Sequence, residues 1–93
     1  MTERTIKVKN STGLHARPAA QFVKTASQFQ SIVELIKEDI VVNGKSILGV
    51  LSLAAERGST LILRITGADE ENAADSLFEL LTRILDNEII NNE

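Results

Sequence analysis

The chain contains one histidine, His15, in the segment Thr12-Gly13-Leu14-His15-Ala16-Arg17-Pro18. Free imidazole has a reference pKa of about 6.5, so near neutral pH such a side chain offers an unprotonated nitrogen able to attack phosphorus. Arg17 adds a permanent cation two residues away, with a planar fork of donors suited to phosphate oxygens. Downstream, Ala19, Phe22, Val23 and Ala26 recur at helical spacing, and Pro18 suits a first helical turn because its missing donor costs nothing there. A helix starting here presents N–H groups without partners and about half a positive charge. Nucleophile and anion cradle therefore coincide. Phosphoryl transfer passes through a loose, charge-spread transition state, so positioning and electrostatics supply the catalysis and no acid/base pair is obligatory. The competing reading is that His15 caps the helix or satisfies a loop carbonyl while Arg17 is an ordinary solvated charge.

Ser46 lies just ahead of the apolar run Ile47 to Ala55 and is a good N-cap, a role that contributes about 1 kcal/mol. A helix start that welcomes a serine oxygen also tolerates a phosphoserine dianion, so the surface charge could switch without unfolding. Other motifs fail. Gly44-Lys45-Ser46 resembles the end of a phosphate-binding loop, but Asp39 stands where that motif needs its first glycine. The carboxylates Glu70, Glu71, Asp75 and Glu79 read as a solvated helix face rather than a cation site.

The elements that position these residues follow from periodicity. Thr5 to Lys9 alternates as a half-buried strand, and Asn10-Ser11-Thr12-Gly13 breaks it. A first helix then runs to about Ser27, followed by strands over Ser31 to Lys37 and Ile40 to Val42. Ile47 to Ala55 reads as a second helix, with Gly58 beyond it, and Thr60 to Thr66 as a fourth strand. Asp69 can cap a third helix, whose stripe is Ala74, Leu77, Leu81, Ile84 and Leu85. The order βαββαβα predicts an α+β fold, a four-stranded and mostly antiparallel sheet with three helices on one face. Simple crossovers would start the first two helices at opposite ends of the sheet.

Composition narrows the class. With 93 residues, 43% hydrophobic content and a net charge of −3, one domain is expected over 1–93, with about 88–93 as a frayed tail. No cysteine and one histidine exclude a disulfide framework and make a metal site improbable. The acidic balance argues against a general nucleic-acid binder, and the three phenylalanines fall on or beside helices rather than on strands where an RNA-reading sheet needs them. Neither a signal peptide nor a membrane-spanning run is found, so a cytoplasmic location is expected. The apolar positions 47, 48, 50, 51, 53 and 54 of the second helix cover about 220° of arc. One core cannot easily use all of that arc, so an exposed flank is expected, the alternative being burial of the whole helix under the third.

Gly13-Leu14-His15-Ala16-Arg17-Pro18-Ala19 resembles the phosphorylation-site signature of the histidine-containing phosphocarrier family, HPr. The segment Val42 to Leu53 is similar to that family's regulatory serine segment, and the likeness spans essentially the whole chain. The resemblance implies an HPr-like open-faced β-sandwich with strand order 1-4-2-3. It implies that His15 accepts phosphate on Nδ1 from phosphorylated enzyme I and passes it to sugar-specific enzyme IIA domains, without cofactor or metal, as a carrier and not a turnover enzyme. Arg17 would steady the phosphate, with Gly13 and Pro18 shaping the loop and the helix start. Ser46 would be the target of a dedicated HPr kinase/phosphorylase, and a transcriptional regulator is a further implied partner. Ala20, Lys24, Lys45, Ile47, Leu48 and Leu51 would form the partner-binding surface of a monomer. The resemblance also implies that His15 and Ser46 share one partner-facing surface. The alternative is a regulatory HPr-like binding module, or a member of a nitrogen-linked phosphorelay, with no part in sugar uptake.

Overall fold

The computed structural model describes residues 1–86. The order is β1 (Thr2–Lys7), α1 (Ala16–Ala26), β2 (Ile32–Lys37), β3 (Ile40–Asn43), α2 (Ile47–Ser52), β4 (Thr60–Thr66) and α3 (Glu70–Asp86). The strands form one sheet, β1-β4-β2-β3, in which every neighbouring pair is antiparallel. The expected tail lies outside the described residues.

Alternation along the strands sorts the sheet into two faces. Ile6, Val33, Leu35, Leu61, Leu63 and Ile65 point under the helices, where they meet Phe22 of α1, Val50 of α2 and Leu77, Leu81 and Leu85 of α3 in one buried cluster. On the helix-free face, register aligns Thr5, Ile62, Ile36 and Val41 in one row across all four strands. In the next row Arg64 Nε donates to Glu34 Oε1 at 2.8 Å, a directly opposed pair of unlike charges.

Three details differ from the periodic reading. β1 begins at Thr2 and stops at Lys7, earlier than expected, because the N–H groups of Lys9 and Asn10 leave the sheet and both donate to the Leu85 carbonyl at the end of α3. α2 ends at Ser52, short of Ala55: the chain passes through Leu53 and then Ala54, whose φ of +51 stops the helix. Asp69 stands ahead of α3, and its carbonyl accepts from Ala73 N, but its carboxylate accepts from the N–H groups of Gln30 and Ser31 and from the Ser31 hydroxyl. It thereby clamps the start of β2 to the start of α3, and the Ser31 hydroxyl followed by these N–H groups holds its carboxyl below the usual range. Glu70 beside it is lowered to about 2 by the chain's amino group, the Gly67 N–H and the Thr2 hydroxyl.

Candidate functional site

The His15 loop is built mainly by main-chain ties. Asn10, buried three residues beyond β1, turns its amide inward and donates from Nδ2 to the Gly13 carbonyl at 3.1 Å and to Thr12 Oγ1 at 3.3 Å. Gly13 takes a φ of +65, in the left-handed region. Leu14 is buried, and its N–H donates to the Ala55 carbonyl at 3.1 Å. The anchored loop delivers His15 at the N-cap of α1 in extended conformation, φ −102 and ψ −166, with its carbonyl accepting from Ala19 N at 2.9 Å.

The His15 side chain is exposed and makes no capping hydrogen bond, so it does not do the structural work the competing reading assigned to it. The N–H groups of Ala16 and Arg17 have no acceptor among the described residues, and Pro18, buried in the first turn, brings no further donor. The Arg17 side chain is exposed and has no ion pair or hydrogen bond among the described residues. A free guanidinium, two open amides and a solvent-facing imidazole thus lie within three consecutive residues. That arrangement can exchange a phosphoryl group and hold its charge. Among the described residues no three His, Cys, Asp or Glu side chains converge to hold a metal ion.

Arg17, Ala20 and Lys24 follow one another at spacings of three and four, so they share one face of α1, and all three are exposed. α1 and α2 pack together. The end of α2 lies beside the start of α1 through the Leu14 to Ala55 bond, and the start of α2 lies beside the end of α1, where Lys45 Nζ donates to the Phe29 carbonyl at 2.7 Å. The two helices therefore run in opposed directions, and Ser46 is separated from His15 along a helix of 11 residues, about 16 Å of rise. Ser46 is a true N-cap, its Oγ accepting from Gly49 N at 3.0 Å. Between the two ends, Leu48 is 81% exposed and Ile47 44% exposed, while Leu51 is half-buried against the core. The expected exposed flank is real. Lys45 is half-buried and already bonded to Phe29, which makes it a joint between the helices.

Sequence reasoning did not single out Asn10, Ala55 or Lys37. Asn10 had a local signal, since Asx side chains organise turns two or three residues on. Ala55 acts through its backbone and had none. Lys37 Nζ donates to the Leu53 and Ala54 carbonyls at 3.2 and 3.1 Å, across a separation in sequence that no periodicity reports.

An antiparallel α+β sandwich with a solvent-facing histidine at a helix start is suited to a phosphoryl carrier. The family model described as the PTS HPr component phosphorylation site matches residues 2–83. The chain is similar to the phosphocarrier protein HPr of Neisseria meningitidis, 46% identical over 81 residues, covering 87% of this chain and 91% of that one. It is similar in structure to HPr from Thermoanaerobacter tengcongensis, with a TM-score of 0.88, 46% identity and coverage of 96% of this chain and 100% of that one. It also resembles the catabolite-repression protein Crh of Bacillus subtilis, solved as a dimer with a swapping domain, with a TM-score of 0.72, 41% identity and coverage of 89% and 95%. The chain belongs to the HPr family of phosphocarrier proteins of the phosphotransferase system, whose members carry a phosphoryl group and are not catalysts in the usual sense. No helix among the described residues is long and apolar enough to cross a membrane.

Proposed function

We propose that this chain is a cytoplasmic carrier in which a ring nitrogen of His15 takes a phosphoryl group from phosphorylated enzyme I and gives it to enzyme IIA domains. In each step one bond to phosphorus forms as the bond to the previous carrier breaks, with no redox change and no cofactor. The observation that carries this reading is the exposed, uncapped imidazole at the start of α1 beside the unpaired Arg17. The Ala16 and Arg17 N–H groups and the Arg17 guanidinium hold the phosphate oxygens, while Gly13 and Pro18 shape the backbone that aims the ring. Ile47, Leu48 and Leu51, with Ala20, Lys24 and Lys45 around them, form one apolar, basic-rimmed patch that suits acidic and apolar faces of donor and acceptor in a small transient contact.

Ser46 is a second modification site in this reading, open to a dedicated kinase. Phosphate there adds a dianion to the same patch from the end remote from His15 and weakens docking of enzyme I while the cap survives. The chain functions as a monomer, which sedimentation at working concentration checks.

Incubation with phosphoenolpyruvate and enzyme I should place acid-labile, base-stable phosphate on His15. Absence of label would leave the regulatory binding module as the better reading.

A further inference from the structure

α2 stops after Ser52, and the chain turns through Ala54 in left-handed backbone, φ +51, which a residue with a β-carbon adopts only under constraint. Lys37 is one of the groups that hold this turn. Just past this helix end, the carbonyl oxygens of Leu53 and Ala54 each accept from Lys37 Nζ, at 3.2 and 3.1 Å. An ammonium is a compact charge with three donors, and at a helix C-terminus it meets the negative end of the dipole. Lys37 reaches this point because it ends β2 on the same face as Val33 and Leu35, the face turned toward the helices.

One residue past Ala54, the Ala55 carbonyl accepts the N–H of Leu14, the residue directly before His15. Two hydrogen-bonded joints therefore connect the Lys37 ammonium to the histidine loop. Leu53, Ala55 and Leu14 are all buried, so slack in the first joint passes to the second through packed neighbours.

Resting on the carrier reading above, we propose that Lys37 is a positioning residue for phosphoryl transfer at His15. By fixing the Leu53 and Ala54 carbonyls it sets the Ala55 peptide from which the His15 loop hangs. It touches neither the imidazole nor the phosphate. Transfer depends on alignment of the attacking nitrogen with phosphorus, and a misplacement of about 1 Å can cost on the order of a hundredfold in rate.

The test compares wild type, Lys37→Met and Lys37→Arg as full chains, reading steady-state transfer from phosphorylated enzyme I and hydrogen exchange at the Leu14 amide. Lys37→Met should lower kcat about tenfold, leave KM for enzyme I within about twofold because the Leu48 patch is untouched, and speed Leu14 exchange. Lys37→Arg, which keeps a cationic donor, should restore both kcat and exchange. If Lys37→Met fails to fold, Lys37→Gln carries the same expectation. A labelled wild type with unchanged kcat in the variant, a change in KM alone, or unaltered Leu14 exchange overturns the role of Lys37. An unlabelled wild type overturns the carrier reading itself.

Discussion

Gly13 lies so close to the Ala55 carbonyl oxygen that a β-carbon on residue 13 would sit far inside van der Waals contact with it. Its φ of +65 excludes ordinary L side chains on separate grounds. Gly13→Ala should therefore destabilise the fold by about 2 to 3 kcal/mol, lowering the thermal midpoint by roughly ten degrees or more. Calorimetry checks this. A midpoint within about two degrees of wild type would mean that the loop relaxes without cost.

Arg17 has no structural partner among the described residues, so stability and chemistry separate cleanly there. Arg17→Ala should shift the thermal midpoint by less than about three degrees while slowing transfer from enzyme I by about tenfold or more. Equal transfer rates would remove the guanidinium from the phosphate site. Lys in its place should recover only part of the rate, since a point charge lacks the planar fork.

Ser46 combines a cap that the geometry displays with a proposed modification. Ser46→Ala removes the acceptor for Gly49 N and should cost about 1 kcal/mol in denaturant unfolding. Ser46→Asp keeps a capping oxygen and should preserve stability, yet raise KM for enzyme I by about tenfold through the added charge. If Ser46→Asp couples normally to enzyme I, the residue is a cap and nothing more.

Acid unfolding should report the clamp between β2 and α3. The folded-state pKa of Asp69 is lowered from 3.8, chiefly by the Ser31 hydroxyl, and that of Glu70 from 4.5 to about 2, chiefly by the chain's amino group. Groups depressed on folding contribute stability that is fully present above their unfolded values and lost as pH falls through the folded ones. The thermal midpoint of the wild type should thus fall between about pH 5 and pH 2. Asp69→Asn should be less stable at pH 7 and show a flatter acid limb. Parallel curves for variant and wild type would deny Asp69 its part in the clamp.

Periodicity made much of this molecule legible. The stripe of α3 from Ala74 to Leu85 and the alternation at Leu61, Leu63 and Ile65 both reflect burial on one side, which is what a hydrophobic pattern encodes. The exposure of Leu48 followed from an apolar arc too wide for one core to absorb. The place of His15 at a helix start was legible through Pro18 and the residues after it, whereas its proposed carrier role came from the resemblance of Gly13 to Ala19 to the HPr signature. Strand order came from family resemblance, since neighbouring strands leave no mark on periodicity alone. What escaped depended on contacts distant in sequence. In sequence, helix α2 reads as continuing to Ala55 because alanine favours helices, whereas the chain turns after Ser52, where Lys37, far upstream, donates to the Leu53 and Ala54 carbonyls. The clamp at Asp69 escaped likewise, because a residue well suited to capping its own helix was recruited by a neighbouring strand.

The open donors at the start of α1 belong to the main chain of Ala16 and Arg17, which survives almost any exchange of side chains, whereas Leu48 and Ile47 owe everything to theirs. In the proposed carrier, clientele and chemistry are consequently separable in evolution. A duplicated copy could trade one set of recipients for another by redecorating a single short helix, and an engineer could rewire such a relay without rebuilding the reactive end.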